Sequence, residues 1–402
     1  MRVETEEFAD SYWGRTFLHS TAADLAAAGR IPGYGDLLSP DDVDELLSRR
    51  GLRTPFLRVA RDGKVLPTRE FTGPGGAGAE IADQVIDEKV LDQYADGATL
   101  VLQGLHRLWP ALVDFAGALS TELAAPVGVN AYATPPSSRG FATHYDTHDV
   151  FVLQVAGRKR WRIYEPARPD PLDRQPSGRG ADEVGAVSDS PAVLDAILAT
   201  GDSLYLPRGW LHSAVALGEQ SLHLTVGVRA MNRYAIVESL LELAADEAAL
   251  RFGFPLGLDV TDPDQLAPHL EATVEALANW LPRIEAANVA ERLRERAWPA
   301  TRPAPIRPLA QAAAMTDLDL DTVLSPRGGL HWRMTAADPD TVTVHLVDRQ
   351  ITVPARCAPA LRVLLAGPWI RVGDLPDLAA ADQLTFARRM LREAIAVSAE
   401  KQ

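Results

Sequence analysis

Apolar and polar positions along this chain follow two rhythms. In the first 125 residues short helical and extended runs are mixed. SPDDVDELLSRRG opens on a capping serine, Ser39, and stops at Gly51, which predicts a helix between them. ATLVLQGL (Ala98 to Leu105) is a short apolar run and predicts a buried strand. LWPALVDFAGALSTELAA spaces its apolar residues as a helix does. From Val127 to Val228 the period shortens. VGVNAYAT, DVFVLQVAG, KRWRIYEP, DSLYLPRG, HSAVAL and SLHLTVGVR are β-rich runs divided by turns, without long helices between them. That texture predicts an antiparallel barrel or sandwich. QVAGRKRW reads as a hairpin turned at Ala156-Gly157, and PLDRQPSGRGADEVGAVSDSP as a polar excursion between strands.

After Arg229 the helical rhythm returns. AIVESLLELAADEAALRF places Ile236, Val237, Leu240, Leu241, Ala244 and Ala248 on one broad stripe. DQLAPHLEATVEALANWLPRI and NVAERLRERAW continue it, and PATRPAPIRPLA (Pro299 to Ala310) reads as a linker. In the last ninety or so residues, TVTVHLV and RQITVPA predict two strands. About two helices accompany them, as in a small winged-helix-like unit. The expected division is therefore 1–230, 231–300 and 301–402.

Composition narrows the function classes. Forty basic against 54 acidic residues give a net charge of −14, which repels nucleic acid and favours basic partners. The single cysteine, Cys357, excludes an internal disulfide and a cysteine-rich metal cluster. MRVETEEFADSYW is polar and has no signal-peptide core, and no run of about 18 apolar residues occurs. A cytoplasmic protein without a membrane span is the expectation.

The candidate chemistry lies in GFATHYDTHD. On an extended strand, positions i and i+2 face one side. His144 and Asp146 would then point together into the barrel, with Tyr145 facing outward. His212, after a Pro/Gly turn in SLYLPRGWLHSAVAL, offers a third ligand. Two imidazoles and one carboxylate on one face leave open positions on an octahedral metal, as iron(II) oxygen chemistry requires. Taken alone, these residues also fit a hydrogen-bonded histidine and a turn-capping aspartate. His148 and Asp149 compete as ligands, although Thr147-His148 is expected to turn away. His223 reads as a core residue or a neighbour of the site. Lys159 shares strand parity with Trp161 and Ile163, so it can point inward while Arg158 and Arg160 face out. A purely solvated basic hairpin is the competing reading.

With these residues in place the chain resembles the JmjC-type, cupin-fold 2-oxoglutarate oxygenases, and within them the ribosomal-protein hydroxylase group. VNAYATPPSSRGFATHYDTHDVFVLQVAGRKRWRIYEP follows the family pattern nearly throughout, DSLYLPRGWLHSA resembles its second block, and FADSYWGRTFL its N-terminal motif. The resemblance is strong over about residues 90–228 and weak at the C-terminus. It implies a mainly β core, a double-stranded β-helix (jelly roll), with an N-terminal α/β extension. A helical segment and a winged-helix-like C-terminal domain would follow. His144, Asp146 and His212 match the iron ligands, and Lys159 matches the residue that holds the far carboxylate of 2-oxoglutarate. Asn130, Tyr132 and Thr225 match co-substrate positions. The implied activity is Fe(II)-, 2-oxoglutarate- and O2-dependent hydroxylation of an arginine or histidine in a ribosomal protein. Residues 232–298 would form a homodimer interface, and acidity argues against DNA contact. The excursion, with Asp173, Asp182, Glu183 and Asp189, would border the target groove. Two alternatives stay open: hydroxylation of a peptide natural product or small metabolite, and a non-enzymatic metal-binding cupin.

Overall fold

The computed structural model describes residues 1–31, 33–78, 80–176, 184, 185, 187 and 190–398. The chain divides into two compact units, Met1–Ala230 and Met231–Gln402.

Among the described residues the first unit holds five named α-helices: α1 (Thr5–Ser11), α2 (Ala22–Ala27), α3 (Pro40–Arg49), α4 (Asp87–Ala95) and α5 (Pro110–Leu123). Its thirteen described strands are β1 (Leu18–Ser20), β2 (Leu57–Arg61), β3 (Lys64–Val65), β4 (Thr72–Gly73), β5 (Gln84–Val85), β6 (Thr99–Leu102), β7 (Val127–Thr134), β8 (Asp149–Ala156), β9 (Lys159–Tyr164), β10 (Leu194–Leu198), β11 (Ser203–Leu206), β12 (Leu211–Ala216) and β13 (Ser221–Val228). α3 begins as its sequence predicts: Ser39 Oγ accepts from Asp42 N–H while the Asp42 carboxylate accepts from Ser39 N–H.

Eight strands form one sheet in the order β1-β11-β8-β13-β7-β6-β2-β3, and β10-β9-β12 form a second. Alternation divides the work of the large sheet. Val129, Ala131, Ala133, Leu222, Leu224 and Val226 turn to one side, into a core shared with Val43 and Leu47 of α3 and Leu112 of α5. Val150, Val152 and Leu204 turn to the other, where they meet Trp161, Ile163 and Leu198 of the second sheet. This is the expected jelly roll: two antiparallel sheets closed over an apolar centre. Phe8 and Trp13 of the N-terminal motif pack against Tyr205. The Tyr205 hydroxyl accepts from Gly14 N–H and donates to Asp149.

One expectation is overturned. β8 and β9 are not a hairpin, because β8 pairs with β11 and β13 while β9 pairs with β10 and β12. The turn at Gly157 carries the chain from one sheet to the other. Gly157 has φ +65°, and a Cβ there would sit 2.0 Å from Gln220 O, so only glycine fits.

The second unit begins with α6 (Arg233–Ala244), α7 (Pro263–Trp280), α8 (Ala286–Ala300) and α9 (Pro308–Thr316). The stripe expected through Ala248 stops at Ala244, and a 3-10 turn follows at Ala248–Leu250. Arg296 of α8 ties α6 down by pairing with Glu238 at 2.9 Å and with Glu242. The apolar stripe of α6 stays largely uncovered: Leu241 is 61% exposed. The expected linker is irregular only from Thr301 to Arg307: Pro299 and Ala300 still belong to α8, and Pro308 starts α9.

Beyond it lie β14 (Val323–Pro326), β15 (Arg333–Asp338), β16 (Thr341–His345), β17 (Gln350–Pro354), α10 (Ala358–Ala366), β18 (Ile370–Arg371), α11 (Ala380–Arg392) and β19 (Ala396–Ser398). β16 and β17 are the two expected strands, and β15 joins them. A second small sheet, β18-β14-β19, was not expected, since strands of two to four residues leave no readable alternation. Leu324, Val344, Leu361 and Met390 anchor one core beneath both sheets. Among the described residues no helix is long and apolar enough to cross a membrane.

Candidate metal centre

His144 and His212 face each other across an isolated antiparallel bridge. His144 N–H donates to His212 O at 3.2 Å and His212 N–H donates back to His144 O at 2.8 Å. The pairing continues as Gly209 N–H donates to Asp146 O at 2.9 Å. Residues 144–146 thus behave as a short extended segment rather than as part of a named strand. Gly209 has φ +87°, and a Cβ there would fall 2.6 Å from Arg168 O. The turn that delivers His212 therefore requires glycine.

The ligand atoms of His144, Asp146 and His212 all lie within 4.8 Å of one another. Each imidazole is oriented by a carbonyl: Nδ1–H of His144 donates to Ala142 O at 2.8 Å, and Nδ1–H of His212 to Trp210 O at 3.1 Å. A carbonyl only accepts, so both Nδ1 atoms carry the proton and both Nε2 lone pairs are left for a ligand. Burial, then the neighbouring His144, push His212 down to about 4. Burial alone would raise the Asp146 carboxyl, but His212, His144, His148 and Arg229 outweigh it and hold it below the usual range. At neutral pH the centre therefore offers a neutral imidazole and an ionised carboxylate, the forms a divalent metal binds.

Lys159 is 3% exposed. The alternation of β9 turns it inward with Trp161 and Ile163, as expected, although the hairpin invoked to place it does not exist. Its Nζ donates to Thr134 Oγ1 at 2.9 Å, and Thr134 Oγ1 also accepts from Thr99 at 3.2 Å. No acidic side chain pairs with it among the described residues, and burial pushes the amine down to about 7. One cavity is lined by Lys159, the three clustered ligands, Tyr132, Thr225, Trp161 and His223. Trp161 Nε1 and His223 Nδ1 are buried there without a hydrogen-bond partner among the described residues. Two orphaned polar atoms and an amine that meets only a neutral hydroxyl fit a polar, anionic occupant.

The remaining candidates sort by geometry. Tyr132 stacks on His223 with ring centres 4.8 Å apart, and burial, then Asp146, push its phenol up to about 12, so it stays a donor. Thr225 reaches the cavity, as expected. Asn130 is not among the cavity's lining residues. Its side-chain oxygen accepts from Gly104 N–H at 3.0 Å, a use the sequence does not announce. His148 packs over Gly227, where a Cβ would lie 2.6 Å from its ring, and is outside the ligand cluster. Asp149 is occupied by the Tyr205 hydroxyl at 2.7 Å. His223 lies against Tyr132 and, edge-on, against Trp161. Tyr145 does face away from the ligands, but it is 5% exposed and packs on Tyr164 and Leu211 rather than meeting solvent. Asp173 accepts from Thr147 and sits 3.7 Å from Arg229. Asp182, Glu183 and Asp189 lie outside the described residues. Sequence reasoning missed Thr134 and Thr99. Thr134 carried a signal, since it shares parity with Tyr132 on β7.

Residues 112–236 match the JmjC domain family. The chain is 35% identical over 244 residues to the bifunctional lysine-specific demethylase and histidyl-hydroxylase NO66 of Drosophila erecta, a match covering 56% of this chain and 33% of that protein. It is 35% identical over 266 residues to the protein of the same name from Drosophila grimshawi, covering 63% of this chain and 34% of that one. The chain thus spans about a third of the length of these relatives. Among solved structures it resembles the Escherichia coli ribosomal oxygenase YcfD, with a TM-score of 0.54, 18% identity and coverage of 99% and 98% of the two chains. YcfD in complex with cobalt and 2-oxoglutarate matches with a TM-score of 0.53 at 18% identity, over 98% of each chain. The match to the JmjC domain thus falls on the part of the chain that holds the jelly-roll strands β7 to β13 and the His–Asp–His cluster.

Proposed function

We propose that this protein is an Fe(II)- and 2-oxoglutarate-dependent oxygenase that hydroxylates a protein side chain, an arginine or histidine of a ribosomal protein. One observation carries the reading: a His–Asp–His donor set shares its cavity with a buried lysine that has no acidic partner among the described residues. Three protein ligands suit a metal that must keep other positions free. Fe(II) with 2-oxoglutarate and dioxygen supplies conversion of an unactivated C–H to C–OH, the keto acid leaving as succinate and carbon dioxide.

The chain's own residues do the rest. His144 and His212 hold the metal through Nε2, and Asp146 through its carboxylate. Lys159 meets the far carboxylate of the keto acid, and that pairing restores the proton burial has loosened. Thr134 fixes the amine's direction. Tyr132 donates to the co-substrate, Thr225 lines its path, and Asn130 supports that wall.

The substrate class rests on three supports. The relatives are histidyl-hydroxylases by name, the matching structure is a ribosomal oxygenase, and a net charge of −14 favours a basic target. Asp173, at the described start of the excursion, borders the target groove. Residues 231–300 form a helical segment separate from 301–402, and residues 232–298 make a homodimer interface. In support, Ile236, Val237, Leu241, Leu270 and Val274 are all more than 40% exposed. The protein acts in the cytoplasm, without contacting DNA directly.

Intact mass measurement of ribosomal proteins from a strain lacking the gene tests this. One protein should be lighter by one oxygen atom, restored by the wild type and not by His144→Ala. If every mass is unchanged while the purified protein still turns 2-oxoglutarate into succinate, the target is not ribosomal. A peptide natural product or small metabolite then takes its place.

A further inference from the structure

We propose that the outer side of the main sheet carries a second binding site, for a small molecule that joins an apolar body to a protonated amine. A cavity of about 330 Å³ opens between α3 and α4. That is within the span of roughly 300–1,000 Å³ typical of small-molecule sites. Its floor is apolar and buried: Val43 and Leu47 from α3, Val90 from α4, Ala133 from β7 and Leu222 from β13. Leu91 stands at its edge 65% exposed, an apolar side chain that a ligand would cover.

The charges around the opening have one sign. Asp44, Asp87 and Glu88 line it, and no lysine or arginine does among the described residues. Tyr94, also in the wall, has its hydroxyl buried with no hydrogen-bond partner among the described residues. Its oxygen can accept from an ammonium. The apolar floor supplies most of the binding energy, because exposed ion pairs add little. The carboxylates supply selection, repelling an anion of the same shape. The site lies back to back with the metal cavity. Ala133 and Leu222 face it, while their chain neighbours Tyr132 and His223 face the metal cavity. The proposal does not depend on the oxygenase reading.

Methyl NMR on the full chain, labelled at valine and leucine, tests it with 2-phenylethylamine and, as an acid of similar size, 3-phenylpropionate. The amine should shift the methyls of Val43, Leu47 and Leu222 with a Kd of about 1 mM, in keeping with a ligand of few atoms. The acid should bind about tenfold more weakly. Val150 and Val152, in the other cavity, should stay still. Neutralising the rim with D44N, D87N and E88Q together should remove the preference for amine over acid. Ser48→Trp, from an exposed position at the opening, should block both probes. Equal affinity for the two probes in the wild type overturns the proposal. So do shifts confined to Val150 and Val152, or none at about 10 mM amine.

Discussion

β7 and β13 present two faces that differ in kind. One carries Tyr132, Thr134, His223 and Thr225, polar groups gathered around a cavity. The other carries Val129, Ala131, Ala133, Leu222, Leu224 and Val226, none more than 4% exposed. A single ladder of backbone hydrogen bonds holds both. The period of two lets a stable wall and a reactive wall share one pair of strands. Damage to one face should therefore leave the other recognisable.

The largest effect belongs to the metal cluster. His212→Ala should cost at least about a hundredfold in Co(II) affinity, measured calorimetrically, with the thermal transition still cooperative. Unchanged affinity would mean that the three side chains do not act as ligands.

Lys159→Met sharpens the contrast, because function and stability should move oppositely. Affinity for 2-oxoglutarate should fall about a hundredfold. The co-substrate-free protein should gain about 1–3 kcal/mol, since the amine is buried opposite only a neutral hydroxyl. The pH dependence follows. With the folded-state value near 7 against 10.5 when unfolded, the unfolded chain holds the extra proton between the two. Stability then rises with pH across that window, and in Lys159→Met this contribution vanishes. Thermal melts at pH 6 to about 9 on both proteins check it; parallel pH dependences would deny that Lys159 is buried uncharged.

On the apolar face, Leu224→Ala should cost about 2–5 kcal/mol in urea unfolding while metal stoichiometry stays at wild type. Loss of the metal at equal rank would mean the two faces are not separable. Thr134→Val is the mildest. It keeps the shape but removes the hydroxyl that receives Lys159, so 2-oxoglutarate affinity should drop about three- to tenfold. A drop as large as that of Lys159→Met would make Thr134 a direct contact.

Much of this was legible in the sequence. The six β-rich runs all became strands, because β-branched and aromatic residues gathered between turn signals are a strong local signal. The ligand cluster was legible from His-x-Asp and a histidine after a glycine turn. Lys159 was placed on the correct face by parity but given the wrong neighbour. Alternation reports which way a side chain points; it does not report which strand lies alongside, and a tight turn can end a sheet as readily as close a hairpin. Asn130 shows a second limit. Its amide binds a backbone N–H that only the fold brings near, so its neighbourhood could not be read from VNAYAT. The small strands of the second unit were too short to have a period.

The crossing at Gly157 leaves two residues between β8 and β9, so counting, not chemistry, decides which member of Arg158-Lys159-Arg160 enters the cavity. Lengthening or shortening that turn by one residue would draw in an arginine and strand the lysine amid Glu219 and Asp195, which now neutralise Arg158 and Arg160. A guanidinium keeps its proton where an amine can yield it. The length of this connection therefore sets which cation lines the cavity, and an insertion there would move Lys159 out of it without touching a single ligand.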